Sequence, residues 1–185
     1  MVPRGTIDVR PVTAASWDDM ARLFSARGAP HYCWCGLYRH ARAHDMDGDA
    51  KRQALCDMVS RGTPVGVLAY DHGVPVGWCS IAPRETYVKL SRSRTMPRRT
   101  PVATPTWTVL CFFVPRSHRR RGVPVALLRA GVGYAVEQGA AVIEGYPHDT
   151  AGISSTHRGH SSVFKAAGFR RDGGRWVLEP ATSRI

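Results

Sequence analysis

The stretch that decides the fold is Cys111-Phe112-Phe113-Val114-Pro115-Arg116-Ser117-His118-Arg119-Arg120-Arg121-Gly122-Val123-Pro124. An apolar β-rich run ends at a proline, a basic turn follows, and a helical pattern begins. The first backbone amides of a helix have no partner inside the helix, and the helix dipole makes that end positive. Such a terminus binds anions, and a glycine lets the backbone approach a ligand closely. Flanking arginines add charge-assisted hydrogen bonds to phosphate oxygens. The stretch therefore reads as a pyrophosphate site, and it matches neither a Walker A loop nor G-x-G-x-x-G.

Working outward, Thr106 to Val114 is apolar on both faces, as a central strand is. Val123 to Gln138 has helical spacing and closes at Gly139. Ala141 to Tyr146 is a further strand. Upstream, Val65 to Tyr70 and Val74 to Ala82 flank the turn Asp71-His72-Gly73. Thr6 to Val12 reads as a first strand. Trp17, Met20, Leu23 and Phe24 fall on one helical face, and Ala50 to Ser60 is a second helix. Downstream, Ser161 to Ala167 is a short helix, and Phe169 to Arg171 with Arg175 to Leu178 form a closing hairpin. Two long irregular stretches remain, Pro83 to Pro105 and Pro147 to Gly159, and such loops are usually functional or mobile. The order β-α-α-β-β-β-α-β-α-β-β predicts a mixed α/β sheet with a strand-helix-strand crossover after the central strand.

The chain has 185 residues and a formal net charge of +12, from 26 lysines and arginines against 14 acids. Its length fits a single domain over residues 1–185 with a sizeable core. No apolar run approaches the ~20 residues of a membrane span, and residues 1–6 lack the apolar segment of a secretory signal. The five cysteines, Cys33, Cys35, Cys56, Cys79 and Cys111, form neither a disulfide framework nor a zinc spacing. Reduced thiols, no metal and a cytoplasmic location are the expectation. The charge suits an anionic ligand. It also suits nucleic acid, although helix-turn-helix, zinc-finger and RNP signatures are missing. Arg92, Arg94, Arg98 and Arg99 read as a solvated loop.

The stretch resembles the acetyl-CoA motif of the GNAT acetyltransferase superfamily, Q/R-x-x-G-x-G/A between the fourth strand and the third helix. Arg119-Arg120-Arg121-Gly122-Val123-Pro124 matches it except at Pro124, where a small residue is usual and an amide donor is lost. A second match is Ser162-Val163-Phe164-Lys165-Ala166-Ala167-Gly168-Phe169, similar to the family's late helix. The resemblance implies an α/β GNAT fold: a central mixed, mostly antiparallel sheet of six or seven strands flanked by about four helices. It implies acetyl-CoA as the cofactor, with the backbone around Phe112, Phe113 and Val114 pairing with the pantetheine arm. Arg119 to Pro124 would hold the pyrophosphate, and Phe164 and Lys165 would lie against the cofactor. Many members carry a tyrosine where Phe164 stands, as general acid to the departing thiolate. Phenylalanine donates no proton.

Transfer needs a base near pH 7 and a stabilised oxyanion. Glu144, His148 and Glu85 are the candidate bases, and Ser161 a candidate acid. For Glu144 the alternative is a salt bridge to an arginine, for His148 a solvated loop position, and for Ser161 a helix cap. Trp34, Tyr38, Trp78, Trp107 and Tyr146 are candidates for stacking on a substrate, or for the core. The run His31 to Tyr38 is either a docking patch or a pocket wall. Tyr32-Cys33-Trp34-Cys35, with Trp78 and Tyr146, resembles a bacterial C-W-C subgroup. Some small acetyltransferases of this kind inactivate antibiotics, including the aminoglycoside kasugamycin. A polycation wants an acidic cleft, so a small-molecule amine with few amino groups or its own carboxylate fits this basic chain better. Competing readings are a peptide or protein N-acetyltransferase and a nucleic-acid-binding protein. A homodimer is left open.

Overall fold

The computed structural model describes residues 7–149 and 156–180. The expected strand residue Thr6 and residues 150–155 of the second long loop lie outside them. Seven strands form one sheet: β1 (Asp8–Pro11), β2 (Val67–Asp71), β3 (Val74–Pro83), β4 (Thr106–Phe113), β5 (Val142–Gly145), β6 (Arg170–Asp172) and β7 (Arg175–Leu178). Their order is β1-β2-β3-β4-β5-β7-β6. Only β4 and β5 pair in parallel, and the other neighbours are antiparallel. The helices are α1 (Trp17–Ser25), α2 (Gly36–Arg39), α3 (Gly48–Ser60), α4 (Val123–Glu137) and α5 (Ser161–Ala166).

The parallel pair follows from its connection. α4 carries the chain back across the sheet, as a β-α-β crossover must. One face of α4, with Val123, Leu127, Leu128 and Ala135, is buried against Val67, Ala69, Cys79, Ile81 and Val109. Small residues allow the close approach. A Cβ on Gly77 of β3 would stand 2.8 Å from Val123, and one on Gly131 of α4 would stand 3.1 Å from Ile81. The opposite face of the sheet takes α1 and α3, whose Met20, Leu23, Phe24, Leu55 and Val59 pack with Trp34, Leu68, Tyr70 and Trp78.

Two features differ from the sequence expectation. A fifth helix, α2, lies in the aromatic and cysteine-rich run. The stretch after β3 is not irregular throughout, since it contains 3-10 turns at Arg84–Thr86 and Val88–Arg92. Tyr87, Leu90 and Met96 are buried there with Ala82, Leu110 and Tyr146 as a third apolar cluster. Arg84 pins the stretch by donating to the carbonyls of Met96 at 2.6 Å and Leu90 at 3.4 Å. Arg92, Arg94 and Arg99 are exposed, and Arg98 is half-buried.

Candidate active site

The site begins where β4 and β5 part. β4 pairs with β5 only as far as Val109, opposite Gly145, although β4 runs on to Phe113. On its other edge β4 stays paired with β3 through Phe113, with a register shift that leaves Leu110 as an extra residue. Such a bulge re-aims the side chains beyond it. From Leu110 onward the β5-side edge of β4 has no strand partner among the described residues, which leaves backbone groups open to an extended ligand.

A cleft of about 840 Å³ opens along this edge. Leu110, Cys111, Phe112, Phe113 and Val114 of the β4 segment line it. At one end it reaches Arg119, Arg120 and Pro124, at the start of α4. There the backbone is left-handed at Arg120 (φ 60°) and Gly122 (φ 82°). Arg119 Nε donates to the Val114 carbonyl at 3.1 Å, which ties the turn to the end of the strand. A Cβ on Gly122 would meet no atom within 4 Å, so the turn has open space beside it. Elsewhere the wall comes from the α1–α2 connection and α2, with Pro30, Tyr32, Cys33, Cys35, Leu37 and Tyr38. Ser80, Tyr87, His157, His160 and Val163 also line it. Among these lining residues there is no aspartate or glutamate.

The thiols have unequal environments. Trp34 (φ 43°) and Cys35 (φ 51°) are both left-handed, a strained pair for residues with a Cβ. Trp78 Nε1 donates to Cys35 Sγ at 3.0 Å. A hydrogen bond from Cys111 is the main cause that lowers the Cys35 thiol below its ordinary value. Burial opposes it, and Trp78, the charge of Arg39 and Ser80 reinforce it. Cys111 is correspondingly raised, by that bond and by burial. Cys33 is pushed up to about 11, chiefly by burial.

The expected cofactor residues divide. Phe112, Phe113, Val114, Arg119, Arg120 and Pro124 line the cleft. Arg121 and Gly122 lie exposed in the same turn, and Val123 points into the core beneath α4. Phe164 is fully buried between Phe112 and Phe169, edge-on to both, and reaches Gly145. It acts as packing behind the cleft wall. Lys165 is exposed.

The expected acid and base residues are not in the cleft wall. Glu144 on β5 is wholly buried and ion-paired to Arg84 and to Arg175, the latter at 2.9 Å. Thr108 also donates to it at 3.2 Å. Two cations and a hydroxyl thus sit on its oxygens, which is the salt-bridge alternative. Glu85 is exposed and bonded to Arg98 at 2.6 Å. Desolvation would raise its carboxyl, but the Arg98 hydrogen bond and charge outweigh that and lower it. His148 holds the neighbouring chain through its amide, which donates to Gly159 at 3.0 Å. Ser161 opens α5, and its amide donates to Asp149 at 2.8 Å. The imidazoles that line the cleft are His157 and His160.

Of the expected stacking residues, only Tyr38 lines the cleft. Trp34 is sandwiched between Phe24 at 5.0 Å and Trp17 at 6.0 Å. Trp78 is buried under Cys35. Trp107 packs edge-on against Tyr134 at 5.5 Å. Tyr146 is buried in the third cluster, with its hydroxyl accepting from Arg84 at 3.3 Å. Trp78 and Trp107 lie on strands, Trp34 stands in the turn before α2 and Tyr146 just after β5, and all four turn inward. The run His31 to Tyr38 serves both alternatives, since Trp34 docks on the core while Tyr32, Cys33, Cys35, Leu37 and Tyr38 form the wall. Tyr87 and Ser80 carried no sequence signal. The hydroxyls behind a cleft can be located only once the strand register is known.

Similar architectures are known. An acetyltransferase-family structure from Desulfovibrio desulfuricans matches with a TM-score of 0.55 at 15% identity, covering 94% of this chain and 99% of its own. The paia N-acetyltransferase from Thermoplasma acidophilum, in complex with coenzyme A, matches with 0.53 at 12%, covering 94% and 98%. The aminoglycoside acetyltransferase AAC(6')-Ib, with coenzyme A and kanamycin, matches with 0.59 at 14%, covering 95% of each chain. At these identities the likeness is one of fold. No curated protein matches the chain. The family profile described as "Acetyltransferase (GNAT) family" matches residues 23–153, most of the chain, and the protein therefore belongs to the GNAT family of acetyltransferases.

Proposed function

We propose that this protein transfers acetyl from acetyl-CoA to a primary amine of a small molecule by direct attack of the amine on the thioester. The observation that carries this reading is one continuous cleft. It joins a chamber of aromatic, thiol and hydroxyl side chains, along the unpaired end of β4, to the basic turn and N-terminus of α4. The residues present fit acetyl-CoA. The β4 edge offers backbone groups to an extended arm, and Arg119 and Arg120 with the open turn at Gly122 offer cations and amides to phosphates. Pro124 removes one amide from that grip.

In the proposed reaction, His157 and His160 are the groups placed to take the amine's proton and to return one to the leaving thiolate. An amide of the bulged β4 segment meets the developing oxyanion. The acid-free wall disfavours polycations. Among antibiotics, an aminoglycoside with few amino groups, of the kasugamycin kind, suits it better than one with many.

The test is thiol release from acetyl-CoA with a panel of kasugamycin, polycationic aminoglycosides, amino acids, arylamines and a basic peptide. Turnover on a small amine is expected, with the KM for acetyl-CoA raised about tenfold or more in Arg120→Ala, the loss typical of a charge-assisted bond. Gly122→Trp should abolish acetyl-CoA binding by filling the turn. If no amine releases thiol and calorimetry shows no acetyl-CoA binding, the reading fails.

A further inference from the structure

Among the described residues three arginines are buried, and two of them have carboxylate partners. Arg84 and Arg175 share Glu144, and Arg175 also pairs with Asp172 at 2.9 Å. The third, Arg39 at the end of α2, is 4% exposed and forms no ion pair among the described residues. Its Nη2 donates to the Val65 carbonyl at 2.8 Å, to Ser80 Oγ at 3.1 Å and to Tyr87 Oη at 3.3 Å. Its guanidinium lies 4.5 Å over the Tyr87 ring. Its Nε and Nη1 are buried without a hydrogen-bond partner. A guanidinium does not deprotonate inside a protein, so this corner holds a full positive charge with no carboxylate partner among the described residues. A lone buried cation is among the least favourable arrangements in a fold. Such a charge persists where something else supplies the anion.

The arrangement meets the cleft at the two residues whose hydroxyls touch it, both nearly fully buried. Ser80 and Tyr87 line the cleft, bond to each other at 2.9 Å, and both accept from Arg39. Cys35, Leu37 and Tyr38, which precede Arg39 on the same short helix and its cap, line the cleft as well. No acidic side chain competes for the charge along that wall. Cys35 registers the field: after the hydrogen bond from Cys111, the charge of Arg39 is one of the causes that hold its thiol low.

We propose that the amine acetylated here also carries an anionic group, a carboxylate in the simplest case. That group docks against the hydroxyls of Ser80 and Tyr87 and is neutralised by Arg39 behind them. The substrate class is then a zwitterionic or anionic amine, such as an amino acid, an aminobenzoate or an amino sugar bearing an acid. The inference rests on the acetyltransferase reading above. It accounts for a cationic cleft around a reaction whose acceptor is itself a cation before it loses a proton. The substrate's own anion balances Arg39 and fixes the orientation of the amine.

The experiment compares L-amino acids and aminobenzoates with their carboxamides, by thiol release, with acetyl-CoA binding measured separately by calorimetry. In the wild-type protein the free acids should exceed the carboxamides in kcat/KM by about tenfold to a hundredfold, the range for hydrogen bonds to a charged group. The difference should lie mainly in KM. Arg39→Gln should bring acid and carboxamide to parity while the acetyl-CoA Kd stays unchanged. If Arg39→Gln does not fold, Tyr87→Phe keeps the test, because loss of its hydroxyl should reduce the acid's advantage several-fold. Equal or better turnover of carboxamides or of a polycationic aminoglycoside by the wild type overturns the inference. So does an equal fall for acid and carboxamide in folded Arg39→Gln, the result expected if the charge serves only the Cys35 sulfur. Absence of acetyl-CoA binding overturns the acetyltransferase reading itself, whereas acetyl-CoA binding with turnover of neutral or cationic amines alone overturns this inference and leaves that reading intact.

Discussion

At the scale of single residues, burial decides which charges hold the fold and which serve the cleft. Glu144 is an internal counter-ion of two arginines, and Asp172 also pairs with Arg175, so Glu144→Gln should leave the buried Arg84 guanidinium without an anion. Breaking a buried pair in this way costs about 3–5 kcal/mol. For a chain of this size that is roughly 10 °C or more in Tm. Thermal melts check it, and a variant that melts like the wild type would show that these pairs do not hold the fold. The thiols carry a second prediction. Cys33 and Cys35 both line the cleft, but the first is pushed up to about 11 and the second is lowered. The thiolate is the reactive form. Alkylation of Cys33 should therefore rise about tenfold per pH unit between neutral pH and its pKa, while alkylation of Cys35 sets in at lower pH and flattens earlier. Mass spectrometry of the labelled peptides separates the two. Parallel profiles would mean that the Cys111, Trp78 and Arg39 interactions do not lower the Cys35 thiol. Neither residue's environment was legible in the chain, because periodicity gives the spacing of side chains and not the partner each one meets. Val142, Ile143 and Glu144 alternate, yet β5 is covered on both faces, so the alternation could not show that Glu144 lies between Arg84 and Arg175. Trp34 and Tyr38 sit four apart in one aromatic run, and only the left-handed turn at Trp34 and Cys35 sends the first into the core and leaves the second on the cleft.

At the scale of elements, the reading from sequence was strongest where chemistry is local. The chain from Cys111 to Pro124 names its own strand end, turn and helix start, and backbone amides at a helix N-terminus need no distant partner to be a site. Strand existence and order were also legible, through the alternation in the β2–β3 hairpin and the crossover after β4. The parting of β4 from β5 was not. It depends on β5 stopping at Gly145 while β4 runs on, and on the extra residue Leu110, which shows only in the pairing register. The stretch after β3 was obscured for a related reason. Tyr87, Leu90 and Met96 follow 3-10 turns and single contacts, and match neither a helical nor a strand period. The start of α4 gives the prediction that belongs here. Pro124 stands in the first turn of the helix and lines the cleft without an N–H. Pro124→Ala restores a donor at a terminus that already carries positive potential, and should lower the KM for acetyl-CoA by up to about tenfold. Steady-state kinetics at fixed amine check it. A raised KM would show that the fixed φ of proline matters more to the turn than the missing amide.

For the whole molecule, the net charge of +12 must be reconciled with a cleft that takes an anion at each end of the proposed reaction. A basic surface has two physical uses. It binds polyanions such as nucleic acid through many phosphate contacts, or it steers a small anion to a focused site. The distribution favours the second use. Arg92, Arg94 and Arg99 are exposed beyond β3, Arg116 and Arg119 to Arg121 surround the α4 turn, and Arg39 lies inside. They are spread across a loop, a turn and the interior. Steering acts on encounter and falls as salt shortens the Debye length from roughly 30 Å at 0.01 M to about 3 Å at 1 M. If the charge serves acetyl-CoA capture, kcat/KM for acetyl-CoA should fall several-fold across that salt range, while kcat at saturating acetyl-CoA changes little, because the bound state is held by short contacts that salt screens poorly. Retention on immobilised DNA, measured in parallel, should be lost at modest salt and should leave turnover unaffected when DNA is added as a competitor. The opposite pattern would reassign the surface to nucleic acid: kcat/KM for acetyl-CoA insensitive to salt, with DNA held tightly and inhibiting turnover. The interior cation Arg39 would then be the only part of the charge left to the acetyl-transfer site.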